Sequence, residues 1–158
     1  MEWNEVLADN ALADLPYKIE LNEWGKIEMS PASNRHSALQ SEILFLLRSL
    51  MKTGKAFNEI SIATSRNVKV ADAVWASDAF YRKHELDTPY PLAPEICVEV
   101  LSPGNTRAEM NMKKDLYLAK GAKEVWFCAE DGTMAFHDHS GVIERSEICP
   151  DFPERIEP

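Results

Sequence analysis

Between Leu39 and Leu50 the apolar residues recur every third or fourth position: Leu39, Ile43, Leu46, Leu47 and Leu50 fall on one face of a helix. Ser33-Asn34 supplies a start signal, and Thr53-Gly54 ends the element. Ahead of it, residues 17–21 and 26–29 alternate polar and apolar around Asn22-Glu-Trp-Gly25, the pattern of a β-hairpin. Residues 1–15 have a weak helical pattern and are placed over a sheet edge. After the helix, β-branched runs predict strands over 56–64 and 68–75, joined at Ser65-Arg-Asn67. Residues 76–94 are irregular, with prolines at 89, 91 and 94, and hold a short helix near 77–85. A strand over 95–101 stops at Ser102-Pro103, and a helix over 106–120 is closed by Gly121. A strand over 124–128 and a hairpin of 133–137 with 142–146, turning at Ser140-Gly141, complete the chain. This order predicts an α/β layered domain, a mixed sheet with a helix on each side.

Composition adds little to that picture. No repeat, low-complexity tract or linker divides the 158 residues, so 1–158 reads as one domain with enough chain to bury a core. The apolar fraction of 45% and charged fraction of 27% are ordinary for a globular protein. No run approaches the roughly 18 apolar residues of a membrane span. The acidic start, Met1-Glu-Trp-Asn-Glu5, lacks the basic and apolar regions of a signal peptide, so no membrane partner and a cytoplasmic location are expected. Cys97, Cys128 and Cys149 are widely spaced and form no zinc motif; as small core residues they fit a reducing compartment.

Charge changes the picture more. The net charge of −9 argues against nucleic acid at first sight. The acidity is concentrated in the flanks: residues 1–31 carry −5, residues 124–158 carry −7, and residues 32–123 carry +3. The middle segment therefore permits phosphate binding without requiring it.

The candidate chemistry lies in that segment. Asp72 shares a strand face with Val68, Val70 and Val74, and Glu99 shares one with Cys97 and Leu101. A carboxylate on an apolar face must be paired, hydrogen-bonded or bound to a metal, because burying it alone is too costly. One reading is a buried ion pair with a nearby Lys or Arg. The other is a phosphodiesterase site, in which two carboxylates hold a hard divalent ion and a lysine from the next helix offsets charge on the phosphate. Spacing does not choose between Lys113 and Lys114 for that lysine. His36 alone reads as a capping or surface residue, and His84, His137 and His139 form no ligand pattern. Glycine-rich phosphate loops and the Gly-x-Ser-x-Gly elbow are absent, so nucleotide-dependent and serine-hydrolase chemistry has no support.

Four segments in order resemble the Uma-two family of restriction-endonuclease-like proteins, in the PD-(D/E)XK nuclease superfamily. They are Met29-Ser-Pro31 with Asn34-Arg-His36; Val70-Ala-Asp72-Ala-Val-Trp-Ala76; Pro94-Glu-Ile-Cys-Val-Glu99-Val-Leu-Ser-Pro103; and Lys113 with Tyr117-Leu-Ala-Lys-Gly-Ala-Lys-Glu-Val-Trp126. The resemblance implies a restriction-endonuclease-like core, a central mixed β-sheet flanked by α-helices, to which the pattern above adds N-terminal and C-terminal β-hairpins. It assigns Asp72 and Glu99 to the metal, and His36 to contact with the site or the scissile phosphate. The superfamily usually has a lysine two residues after the glutamate. Leu101 stands there in this chain, so the cation is expected from the following helix, at Lys113. Ala71 replaces the usual proline before the aspartate, and Met112 replaces the usual acid before the lysine.

The expected function is hydrolysis of phosphodiester bonds in nucleic acid, with DNA as the first candidate, using Mg2+ or Mn2+. Asp72, Glu99 and the backbone carbonyl of Val100 would hold the ion, and Lys113 would orient the attacking water or stabilise the transition state. Nuclease folds of this sort often form homodimers to cut two strands, so a homodimer is a candidate assembly. The rivals are a catalytically inactive binding or interaction module with the same fold, which the acidity favours, and a hydrolase of a small phosphoester using the same site.

Overall fold

The computed structural model describes all residues, 1–158. Helix α1 (Trp3–Ala8) precedes a separate two-stranded antiparallel sheet, β1 (Tyr17–Leu21) and β2 (Ile27–Pro31), in register Tyr17–Pro31 through Leu21–Ile27. Then come α2 (Asn34–Leu50), β3 (Lys55–Thr64), β4 (Asn67–Ala76), α3 (Asp78–His84), β5 (Ile96–Val100), α4 (Arg107–Ala119), β6 (Glu124–Cys128), β7 (Met134–Asp138) and β8 (Gly141–Ile143). Strands β3 to β8 form one six-stranded sheet in chain order, antiparallel throughout except for β5 and β6. A parallel pair needs a crossover, and α4 provides it. The expected mixed sheet, its helices and both hairpins are present.

Each long helix forms where its caps and apolar stripe agree. The Ser33 hydroxyl accepts from the His36 backbone amide at 3.0 Å and starts α2. Leu39, Ile43 and Leu47, one helical turn apart, are almost fully buried. Burying such side chains contributes about 1.5–3 kcal/mol each. They meet Ala73, Trp75, Ile96, Val98, Val100 and Trp126 on one face of the sheet. Gly54 then lets the chain turn into β3: its φ is +77°, and a Cβ there would lie 2.5 Å from the Trp75 ring. On the other face, Met110, Tyr117 and Leu118 of α4 pack with Ile62, Val74, Cys97, Val125 and Phe127. A capping box between Thr106 and Glu109 starts α4.

The last hairpin differs from the sequence expectation. Its closing pair is Asp138–Gly141 and β8 ends at Ile143, not at 146. The chain leaves the sheet because Glu124 accepts from the amides of Glu147 and Ile148, while Ser146 accepts from the Cys149 amide. Cys149, Phe152 and Ile156 then fold back onto the α2 side of the core. No helix is long and apolar enough to cross a membrane.

Candidate active site

The site grows from a fork between β4 and β5. Their ladder runs through Trp75–Ile96, Val74–Cys97 and Ala73–Val98 and then stops. The next β5 amide on that edge, Val100 N–H, donates instead to Asp72 Oδ2 at 2.8 Å. Asp72 thus caps the open end of the ladder. In an extended strand a residue's N–H and C=O share an edge, so the Val100 carbonyl also faces the fork. The Gln40 side chain of α2 donates to the Asp72 carbonyl at 2.7 Å and fixes the backbone from behind.

Glu99 leaves the opposite face of β5 from Val98 and Val100, toward α4. There the Tyr117 hydroxyl donates to its Oε1 at 2.7 Å, and Lys113 Nζ lies 3.5 Å from the same oxygen. Of the two lysines that spacing left open, Lys113 is buried in the site, whereas Lys114 lies 3.9 Å from the exposed Asp115. His36, in the first turn of α2, sets its Nε2 3.4 Å from Asp72 Oδ2, and its buried Nδ1 has no protein partner. Asp72, Glu99, Lys113 and His36 are therefore brought together, and Val100 joins them through its backbone.

Two further residues arrive from β1. Lys18 and Glu20 lie on one face of that strand, two residues apart. Lys18 Nζ is 3.1 Å from Asp72 Oδ1, from Glu99 Oε2 and from the Val70 carbonyl. Glu20 accepts from Lys113 Nζ at 2.9 Å and from the Val70 amide at 2.7 Å. The hairpin reading of 17–21 treated Lys18 and Glu20 only as its polar alternation, and it gave no role to Gln40 or to the Tyr117 hydroxyl. The one signal in the sequence is the pair itself, opposite charges at i and i+2 of β1. Of the two readings of the acids, the ion pair is the one present: Lys18 pairs with one oxygen of each.

The charges interlock. Burial alone would lower the Lys18 pKa, but Glu99, Asp72 and Glu20 outweigh it and hold the ammonium well above its usual value. Burial would raise Asp72, yet Lys18 and the contact with His36 keep it well below the usual carboxylate range. Glu20 is likewise lowered, because Lys113 and Lys18 overcome its burial. Glu99 is pushed up to about 7 by complete burial, which its two lysines do not offset against the added charges of Asp72 and Glu20. The contact with Asp72 raises His36 against its partial burial.

A cleft of about 800 Å³ opens over this floor, between the β1–β2 hairpin, the start of α2 and the segment Ser102–Asn105. Its charged lining is Lys18 and Lys113 against Glu59, Asp72, Glu99 and Glu109, a formal net of −2 with every carboxylate ionised and His36 neutral. No three His, Cys, Asp or Glu side chains gather as a metal cluster anywhere in the chain. The donor set nevertheless suits a hard cation, since the Lys18 ammonium already collects three oxygens there. An ion in that position would meet Asp72 Oδ1, Glu99 Oε2 and the Val70 carbonyl, with the Val100 carbonyl turned to the same fork and water completing the shell, a set that magnesium accepts.

The model of the Uma2 family, described as "Putative restriction endonuclease", matches residues 10–156. No curated protein matches the chain. Among solved structures, a crystal structure of a putative nuclease belonging to DUF820 from Anabaena variabilis ATCC 29413 is similar in fold. Its TM-score is 0.68 at 22% identity, covering 87% of this chain and 79% of that one.

Proposed function

The chain belongs to the Uma2 family of putative restriction endonucleases, and we propose that it hydrolyses phosphodiester bonds in nucleic acid, DNA first, with Mg2+ or Mn2+ as cofactor. The observation that carries this reading is the convergence of Asp72 and Glu99, from two diverging strands, on one cation position beside a helix-borne lysine. Asp72, Glu99 and the Val100 carbonyl would hold the ion. When bound, it supplies a Lewis acid that lowers the pKa of the attacking water and offsets charge on the phosphate.

The chain's own groups do the rest. Glu20 anchors Lys113 at 2.9 Å, so the ammonium is held ready for the charge that develops on the phosphoryl oxygens and need not be ordered during reaction. Tyr117 fixes Glu99 through Oε1 and leaves Oε2 free to face the cation position. His36, at the wall of the cleft, sets its Nε2 3.4 Å from Asp72, which favours its protonated form, and when protonated it brings positive charge to where a phosphate would enter.

The test is cleavage of supercoiled plasmid and of single-stranded DNA in Mg2+ or Mn2+, with wild type beside Glu99→Ala and Lys113→Ala. The expected outcome is metal-dependent cutting that each variant reduces by about a hundredfold or more. Cutting that survives Glu99→Ala refutes the assignment.

One observation favours a second reading, a binding module that has kept the fold. Asp72, Glu99, Glu20, Lys18 and Lys113 all have partners without any ion. Such a module would show no Mn2+-dependent rise in melting temperature that Asp72→Asn removes.

A further inference from the structure

We propose that Lys18 is the residue that sets the cation affinity of this site, because its ammonium and a divalent ion compete for the same carboxylate oxygens. The inference deepens the nuclease reading and rests on it. Lys18 Nζ is equidistant, at 3.1 Å, from Asp72 Oδ1, Glu99 Oε2 and the Val70 carbonyl. These include one oxygen from each carboxylate of the proposed ion site. The other oxygens are committed elsewhere: Asp72 Oδ2 to the Val100 amide and His36, and Glu99 Oε1 to Tyr117 and Lys113. Two cations cannot share the two remaining oxygens, since at contact distance they repel strongly and each would lose part of its neutralising charge.

The fold allows Lys18 to leave. Its side chain enters from β1, outside the six-stranded sheet, and keeps 13% of its surface at the cleft. A flexible four-carbon arm can swing toward the cleft without moving the strand. Glu20, two residues on, stays tied to Lys113 and the Val70 amide and holds β1 in place. Lys18 is thus the cation of the ion-free state, and an incoming ion takes its place between the acids. Lys113, bonded to Glu20, is not displaced.

The experiment measures Mn2+ binding by calorimetry for wild type, Lys18→Met, Lys18→Arg and Asp72→Asn, each checked for fold by circular dichroism. Lys18→Met should bind Mn2+ about tenfold more tightly than wild type, Lys18→Arg should stay near wild type, and Asp72→Asn should abolish binding. Wild type is also followed by amine acetylation and mass spectrometry, which does not depend on any variant folding. Labelling of Lys18 should rise several-fold when Mn2+ saturates the protein, while the exposed Lys26 stays constant. Equal or weaker binding by folded Lys18→Met overturns the proposal. So does unchanged Lys18 labelling at saturation, or an absence of binding by both proteins into the millimolar range. The two readings fail separately. Tighter binding by Lys18→Met with no cleavage by wild type removes the nuclease function and leaves the competition standing. Metal-dependent cleavage with unaltered affinity does the reverse.

Discussion

Glu20 makes two hydrogen bonds inside the protein, from the Val70 amide and the Lys113 ammonium, and is almost sealed from water. Removing it leaves the Val70 amide unpaired and the buried Lys113 ammonium with only the longer, 3.5 Å contact to Glu99. Glu20→Ala should therefore destabilise the protein by about 3–5 kcal/mol, read as a lower urea midpoint with unchanged slope. A loss below about 1 kcal/mol would mean that Glu20 behaves as an exposed residue. The contrast with Asp72 and Glu99 explains what could be read at this scale. Those two acids stand among apolar neighbours in runs that must be buried, so their charge is conspicuous. Lys18 and Glu20 alternate with Tyr17, Ile19 and Leu21 in a strand whose polar face would ordinarily meet water. Only docking of the hairpin against β4 turns that face inward, and nothing local encodes the docking.

Elements were legible where period and caps coincide. The stripe from Leu39 to Leu50 and the strand Glu124–Cys128 lie where their patterns put them, because each is specified by its own residues. The strand expected over 142–146 keeps only its first two residues, since the course beyond them depends on the distant Glu124 carboxylate gathering two amides. Helix α4 carries Lys113 and Tyr117 into the site, so its first turn bears on the chemistry. Thr106 accepts from the Glu109 amide at 3.1 Å, and Glu109 reaches back to the Thr106 amide at 3.4 Å. Thr106→Ala should cost about 1 kcal/mol in thermal or urea unfolding. Lys113 sits two turns further on and is held by Glu20, so cleavage should change far less than with Lys113→Ala.

Across the whole molecule the charge is −9, and the cleft lining itself sums formally to −2 with every carboxylate ionised and His36 neutral. A phosphodiester entering without a counter-ion meets repulsion at both ranges, and a divalent ion would neutralise the lining. Nucleic-acid binding should thus be undetectable in EDTA and appear with Ca2+, measured by fluorescence anisotropy on a labelled single strand and a duplex. Equal affinity in the two conditions would move the contact surface away from this cleft. The location of the cleft follows from the fork, and the fork depends on Asp72, whose carboxylate takes the place of the missing strand partner for the Val100 amide. Natural selection would therefore keep a hydrogen-bond acceptor at this position for architectural reasons alone. In a lineage whose cutting had decayed, aspartate or asparagine at 72 would persist long after the lysines had drifted. The presence of Asp72 thus testifies to an intact sheet, and Lys113 is the better witness to surviving chemistry.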